Sequence, residues 1–324
     1  MTPSRPVRIA ARTVAISVFL LLVAGALVTS TGSGLAVPDW ALSYGKLMPP
    51  MVGGILYEHG HRMIAATVAT MVGLQILVLG FRRTDRTTFL LGLAAFGAIL
   101  AQAVLGGLTV LFLLPPAISS AHAGLAQIVF ALTATIALRT SLFWARFTDA
   151  APRTAVEHDL RARAFRLALW AAGATYVQIL LGAIVRHTGA GLAIPDWPLS
   201  FGKVVPTGSD WAGDGVLAHF LHRTFAWAVA VLVVAAALAL RKLDALPGLR
   251  RLPSLWLGLV ALQVALGATS VWTAKAVWAT SAHLAVGGLL WIAGVLAAVL
   301  LARAAALTPA PAAAEIGAPQ EAAA

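Results

Sequence analysis

The sequence predicts an all-α, polytopic membrane protein, and three observations lead to that prediction. Hydrophobic residues make up 60% of the 324 residues and charged residues only 11%, whereas soluble domains carry roughly 25% charged residues. Apolar runs of about 20 residues recur along the chain, and each can cross the hydrocarbon core of a bilayer as a helix. The runs are continuous, which excludes the short alternating segments of a membrane β-barrel.

Eight such runs predict eight transmembrane helices. Their approximate bounds are 13–29, 63–80, 89–113, 118–138, 167–185, 224–240, 255–272 and 280–301. Arg5, Arg8 and Arg12 precede the first run, as basic residues do in a signal peptide. The first run has a counterpart in the second half of the chain, so we expect it to be a permanent membrane span.

The net charge of +11 is explained by membrane topology rather than by nucleic-acid binding. If the eight spans alternate, 17 of the 23 lysines and arginines lie on the side of the N-terminus. The positive-inside rule then predicts a bacterial-type cytoplasmic membrane protein with both termini in the cytoplasm. The basic residues would contact anionic lipid. The chain contains no cysteine, which excludes disulfides and thiolate metal sites.

The chain contains an internal repeat. Gly32–Lys46 reads GSGLAVPDWALSYGK and Gly189–Lys203 reads GAGLAIPDWPLSFGK, with eleven of fifteen positions identical at an offset of 157 residues. Beyond this loop the offset becomes 161. Four spans return the chain to its starting side, so we predict two four-helix bundles related by a pseudo-twofold axis along the membrane normal.

The repeat divides the chain into four predicted segments. They are an N-terminal four-helix half (1–139), a polar cytoplasmic linker (140–166), a C-terminal four-helix half (167–303) and a disordered Ala/Pro-rich tail (304–324). The linker is long enough for a short surface helix.

Four histidines lie at the starts of the even-numbered spans, and therefore at similar depth: His61, His122, His222 and His283. Strongly polar groups inside a membrane are costly and mark function, and a neutral imidazole is the usual protein ligand of haem iron. Two imidazoles can hold one iron from opposite faces, whereas a closed zinc site needs four ligands. We therefore predict one haem site in each half, with simple interfacial placement of the histidines as the alternative.

The other histidines are expected outside the membrane, His59 and His187 in loops and His158 in the solvated linker. Three glutamines precede a glycine by four residues within a span, namely Gln102, Gln178 and Gln263. We expect these Gln-Gly pairs to serve close helix packing, with hydrogen bonding across helices as the alternative.

The repeat breaks at Glu58, whose counterpart is His219. Residues at i and i+3 share a helix face, so Glu58 would project beside a haem held by His61. A carboxylate at the dry membrane edge can transfer protons or stabilise positive charge on a substrate. An ion pair with Arg62 or Lys46 is an equally good interpretation. The difference between the halves predicts that one half performs chemistry and the other holds a fixed cofactor.

Arginines directly follow two of the ligand candidates. Arg62 and Arg223 can each bind a haem propionate or extend toward lipid headgroups. The Asp-Trp pairs at 39–40 and 196–197 are expected to fold the loops and to place tryptophan at the membrane surface.

Five segments together resemble the haem A synthase family: TGSGLAVPDW, EHGHR, AHAGLAQ, HFLHR and SAHLAVGG. The resemblance spans about residues 13–303. It implies oxidation of the C8 methyl group of haem O to a formyl group, which yields haem A for terminal oxidases. By this resemblance His61 and His122 hold the substrate haem, His222 and His283 hold a haem b cofactor, and Glu58 is the acidic residue implicated in catalysis.

The resemblance also implies partners, and it leaves two other functions open. The candidate partners are haem O, haem O synthase, assembly factors of terminal oxidases, membrane lipid and a second copy of the chain. Many bacterial members carry a cysteine pair in the first loop where this chain has Val37 and Ser43, so no disulfide-dependent step is expected. The alternative functions are a di-haem b-type electron-transfer cytochrome and a non-enzymatic membrane haem carrier.

Overall fold

A computed structural model of the protein describes residues 4–147, 155–243 and 249–306. These residues are nearly all helical, and the only β-structure among them is two isolated bridges. The helices are α1 (Arg5–Ser30), α2 (Gly54–Phe81), α3 (Arg86–Leu111), α4 (Pro116–Arg139), α5 (Leu142–Arg146), α6 (Ala155–His187), α7 (Val216–Arg241), α8 (Leu252–Trp272) and α9 (Val277–Ala306). All except the short α5 are long and apolar enough to cross a membrane. The predicted all-α class with eight membrane spans is confirmed.

The helices extend beyond the apolar runs from which they were predicted. α1 begins at Arg5 and α2 at Gly54, each about two turns before its run, because a helix continues through the interfacial layer once its hydrophobic part is embedded. Within the predicted linker, α5 is a short helix and α6 begins at Ala155. The predicted tail lies outside the described residues from position 307 onward.

The spans pack as two rings of four. In the first half α1 packs on α2, α2 on α3, α3 on α4 and α4 on α1, and in the second half α6, α7, α8 and α9 do the same. The helices α2 and α4 therefore occupy opposite corners of one ring, and α7 and α9 opposite corners of the other. The halves meet through α1, α4, α6 and α9. This arrangement fits the predicted pair of bundles, and the pseudo-twofold axis and the segment boundaries stay predictions.

The first repeated loop is folded by its aspartate. Asp39 accepts hydrogen bonds from the backbone N–H groups of Tyr44 and Gly45 (2.7 and 2.8 Å), and Ser43 pairs with Lys46 in an antiparallel bridge. The backbone N–H groups of Gly45 and Tyr44 hold the pKa of Asp39 below its usual value, because they stabilise the ionised carboxylate.

The second repeated loop has the same contacts. Asp196 accepts from the backbone N–H groups of Phe201 and Gly202, both at 2.7 Å, and Ser200 pairs with Lys203. The predicted loop-folding role of the Asp-Trp pairs is thus confirmed for the aspartates. Both loops lie on the same side of the protein, which we call the loop face. It carries the last residues of α1 and α6 and the first residues of α2 and α7.

Candidate functional site

The four histidines of the predicted haem sites lie at similar positions along their helices. His61 is the eighth residue of α2, and His122, His222 and His283 are the seventh residues of α4, α7 and α9. At 1.5 Å per residue, each lies about 10 Å along the helix from its start at the loop face. All four side chains are half-buried. The imidazoles therefore form one layer inside the two bundles.

Each imidazole of the first half lies against a glycine on the preceding span. A β-carbon placed on Gly25 of α1 would lie 3.2 Å from Cε1 of His61. A β-carbon on Gly106 of α3 would lie 3.2 Å from Cε1 of His122. Such distances are tighter than ordinary van der Waals contact, so any larger residue would have to displace the ring.

The second half repeats this contact. A β-carbon on Gly182 of α6 would lie 2.9 Å from Cε1 of His222, and one on Gly267 of α8 would lie 3.2 Å from Cε1 of His283. The Gln-x-x-x-Gly pattern includes three of the four glycines but not Gly25. The signal for Gly25 was the repeat itself, since an offset of 157 aligns it with Gly182.

The histidines of each half come from opposite corners of the ring and face its interior. The ring centroids of His222 and His283 are 6.4 Å apart, with an angle of 77° between the planes. Imidazole nitrogens bind metals at about 2 Å, so two imidazoles on opposite faces of one metal have centroids about 6 Å apart. The His222–His283 pair therefore fits a single iron. His61 and His122 occupy the equivalent positions of the first half, on opposite corners of its ring.

The imidazoles are largely uncommitted to protein hydrogen bonds. The Nδ1 atoms of His61, His122 and His283 are buried and have no hydrogen-bond partner, a state that is rare for buried polar atoms and needs an explanation. Within the described ranges, no group of three or more His, Asp or Glu side chains is placed to hold a metal ion. A pair of imidazoles in each half offers donors of the kind that haem iron takes.

Glutamines brace the C-terminal pair more than the N-terminal pair. The Gln178 amide Nε2 lies 3.0 Å from Nδ1 of His222 and donates to its carbonyl oxygen (2.8 Å), and Nε2 of Gln263 lies 3.4 Å from Nε2 of His283. In the first half the counterpart of Gln178 is Leu21, which has no polar group. The hydrogen-bonding role that the sequence left as an alternative therefore applies to Gln178.

Glu58 anchors the first loop to α2. Its carboxylate is buried, with 4% of the residue exposed. Oε2 accepts a hydrogen bond from the backbone N–H of Val37 (2.8 Å), and Oε1 accepts one from Arg62 Nη2 (2.5 Å). The ion pair with Arg62, one of the two predicted roles, is present. In the second half Nδ1 of His219 accepts from the backbone N–H of Ile194 (3.2 Å), so both repeat mates hold their loops at the same place.

The two arginines that follow the ligand candidates bind loop carbonyls. Arg62 Nη1 donates to the carbonyl oxygens of Asp39 (2.7 Å) and Leu42 (2.9 Å). Arg223 donates to the equivalent carbonyls of the second loop at 2.9 and 2.7 Å. Both guanidinium groups are thus turned toward the loops that they fold. Their contact with haem propionates stays a prediction.

The predicted loop position of two histidines is wrong. His59 lies in α2 with 6% of the residue exposed, and its Nδ1 is 2.7 Å from Oγ of Ser43. His187 is the last residue of α6. Hydropathy placed both outside because it registers only the apolar part of a helix, whereas these helices continue to the loop face. His158 is exposed, as predicted.

The fold and the site define a multi-pass helical membrane protein with a pair of inward-facing histidines in each of two repeated four-helix units. The chain belongs to the COX15-CtaA family of cytochrome oxidase assembly proteins, whose model matches residues 52–295. It is 31% identical over 348 residues to the heme A synthase of Caulobacter sp. (strain K31), covering 93% of this chain and 94% of that protein. It is 33% identical over 251 residues to the heme A synthase of Symbiobacterium thermophilum, covering 75% and 78% of the two chains.

The glycine contacts generate a prediction about stability. Gly182→Ala should lower the melting temperature of the detergent-solubilised protein, because its β-carbon forces the His222 ring to move and overpacking of this kind costs about 1–3 kcal/mol. Gly173→Ala in the same helix is the matched control, since nothing lies within 4 Å of its β-carbon and alanine favours a helix by up to about 1 kcal/mol. Equal melting temperatures for the two variants would contradict the close imidazole–glycine contact.

Proposed function

We propose that this protein is a haem A synthase, an oxidoreductase that converts the C8 methyl group of haem O into a formyl group. The observation that carries the proposal is the pair of glycine-backed, inward-facing histidines in each half of a chain whose relatives are named heme A synthase. With water as the source of the oxygen atom, the conversion of the methyl group to the formyl group releases four electrons and four protons, by way of the alcohol. An electron acceptor outside the chain must therefore take part.

The two halves are proposed to have different tasks. His61 and His122 would bind the iron of the substrate haem O, and His222 and His283 would hold a resident haem b, which when bound supplies one-electron transfer. The glutamine contacts support this division. Gln178 braces His222, as suits a cofactor that stays in place. The N-terminal pair lacks the brace of Gln178, as suits a ligand that must enter and leave.

Glu58 is proposed to act on protons released during the oxidation. It lies three residues before His61, on the same face of α2, and its carboxylate is withdrawn from solvent beneath the first loop. Arg62 orients the carboxylate, and Val37 ties it to the loop. Each two-electron oxidation of the methyl carbon releases protons, and a carboxylate beside the substrate can accept them. The C-terminal half has His219 at this position, which supports chemistry in the N-terminal half alone.

The first loop is proposed to shield the N-terminal site from water. Trp40 rests on α3 at Gly107, where a β-carbon would lie 2.6 Å from the indole ring, and Leu114 contacts the loop at Gly34. The loop is also fastened to α2 through Glu58 and Arg62. A closed loop face would keep partly oxidised substrate on the protein until the aldehyde is formed.

The protein is a multi-pass membrane protein, and we propose that both termini are cytoplasmic. The support is the charge distribution, since alternating spans put 17 of the 23 lysines and arginines on the side of the N-terminus. A reporter fused after Arg303 should register the cytoplasm, and a reporter inserted near Ser209 should register the outside. The reverse pattern would place the histidine layer in the other leaflet and contradict the proposed orientation.

The histidine pairs generate a prediction that separates the two halves. His222→Ala or His283→Ala should remove the haem b absorption of the purified protein, because one axial bond to iron is lost. His61→Ala is the matched variant of the other half and should leave that absorption in place. The measurement is the reduced-minus-oxidised spectrum together with extraction and identification of the haems. An unchanged spectrum in both C-terminal variants would contradict the assignment of the resident haem.

Glu58→Gln should abolish most catalysis and leave haem b bound. Glutamine keeps the size of the side chain and an acceptor for the Val37 N–H, but it cannot take up a proton, so haem A formation should fall by about 10² to 10⁴. Haem O or a partly oxidised haem should accumulate. The measurement is pigment analysis of membranes, normalised to the amount of protein.

The control for Glu58 is Asp39→Ala, which disturbs the same loop without touching the carboxylate. If Glu58 only anchors the loop, the two variants should lose activity to the same extent. A normal haem A yield in Glu58→Gln would reject the catalytic role. Pigment identity also tests the wider proposal, since a di-haem electron-transfer cytochrome or a haem carrier would form no haem A.

A further inference from the structure

Arg186 is a cation at the junction of the two halves. It is the last residue but one of α6, and its Nη2 donates to the carbonyl oxygen of Ala26 (2.8 Å) and to Oγ of Ser30 (2.6 Å), both on α1. Ala26 lies one full turn before the end of α1. The guanidinium group is therefore turned back into the protein, whereas an arginine at a helix end ordinarily extends toward the headgroups.

The charge of Arg186 has no protein counter-ion. The ion pairs among the described residues use other arginines and lysines, and both hydrogen bonds of Arg186 come from Nη2. Its Nε and Nη1 donors are thus uncommitted within that part of the chain. A cation at membrane depth without a counter-ion is costly, and such residues mark a binding or transport role. The free donors of Arg186 are available to an anion.

On the α6 side, Arg186 lies directly next to the His222 site. Gly182, the glycine beneath the His222 ring, precedes Arg186 by four residues and therefore shares its helix face. One turn of helix separates the two residues, about 5.4 Å. Arg186 is thus on the loop-face side of the ring contact.

Contacts with α9 also place Arg186 near the His222–His283 pair. Oγ of Ser281 lies 3.0 Å from Oγ of Ser30, the hydroxyl that also binds Arg186. His283 follows Ser281 by two residues on α9. The guanidinium group therefore lies near Ser281 of α9, on the loop-face side of the His222–His283 pair.

The first half has no equivalent cation. The repeat mate of Arg186 is Thr29, whose hydroxyl donates to the carbonyl of Gly25 in its own helix (3.2 Å). The arginines that the sequence named as propionate contacts, Arg62 and Arg223, are occupied by loop carbonyls. Of these three arginines, Arg186 alone has an Nη1 group that takes part in no described hydrogen bond.

We infer that Arg186 is a carboxylate-binding residue that pairs with a propionate of the haem held by His222 and His283, and so retains that haem. The inference rests on the proposed haem site of the C-terminal half. The propionates are the anionic groups of a haem, and the planar guanidinium group matches a carboxylate with two parallel N–H donors. The repeat mate of Arg186 in the first half is the uncharged Thr29, so the substrate haem lacks this restraint. The resident haem is then distinguished from the exchangeable one by a charge contact as well as by glutamine contacts.

The test is the rate of haem loss from the purified, full-length protein to excess apomyoglobin, together with the midpoint potential of the C-terminal haem. Arg186→Gln should release that haem about 10- to 100-fold faster, the effect of losing a hydrogen bond to a charged group. Its midpoint potential should fall, because a nearby cation disfavours the more positive ferric state. For Arg186→Lys, the rate of haem loss and the midpoint potential should lie between those of the unaltered protein and of Arg186→Gln, because lysine keeps the charge and loses the paired donors.

Two controls separate this role from a purely structural one. Ser30→Ala removes a protein contact of Arg186 and keeps the charge, so the potential should stay unchanged. Lys275→Gln removes an exposed charge on the loop face, and solvent screening should leave both readouts unchanged. If Arg186→Gln retains haem and potential like the unaltered protein, Arg186 serves only to join the halves and the inference is wrong.

A second measurement needs no variant. Apoprotein reconstituted with the dimethyl ester of haem b, which lacks the propionate charges, should bind about 10- to 100-fold more weakly than with haem b itself. The Arg186→Gln protein, where it accumulates, should bind haem b and its dimethyl ester with equal affinity. Equal affinity of the unaltered protein for both haems would overturn the inference. Failure of the proposed function would look different, because the unaltered protein would then lack a haem that depends on His222 and His283, or would form no haem A.

Discussion

The hydrocarbon core of a membrane offers no hydrogen-bond partner, and this constraint governs the protein from its backbone to its site. It restricts the eight spans to helices, whose backbone groups pair internally. It also makes side-chain hydroxyls within the spans bond to carbonyls of their own helices, as Thr133 and Thr175 do. Against this background, the imidazole Nδ1 atoms of His61, His122 and His283 stand out as buried polar groups without a hydrogen-bond partner.

The same constraint explains why the two loops and the first turns of α2 and α7 form one unit. Arg62 and Arg223 would be costly in the membrane if they were unpartnered, and they take up loop carbonyls at equivalent places in the two repeats. Glu58 and His219 add a bond from the helix to a loop N–H. Each loop is therefore tied to the helix turn that precedes His61 or His222, so a displacement of the loop would disturb that turn.

The two repeated four-helix halves share their helix arrangement, and a few residue differences give them different properties. The paired differences Leu21/Gln178 and Thr29/Arg186 add polar groups around the C-terminal histidines. The difference Glu58/His219 adds a carboxylate beside the N-terminal histidines. The backbone and the glycine-backed imidazoles are shared. A frame with more restraints suits a resident cofactor, and a frame with fewer restraints and an acid–base group suits a substrate that is converted and released.

The sequence by itself determined the class of fold, the eight spans, the repeat and the common depth of the four histidines. These follow from local hydropathy and from spacing along a helix, which need no knowledge of neighbouring elements. Tertiary structure decided what each polar group touches. It placed His59 inside a helix, seated the imidazoles on glycines such as Gly25, and turned Arg62 toward a loop and Arg186 toward α1. The physical reason is that the partner of a long side chain depends on how helices distant in sequence pack and on the rotamer that this packing allows.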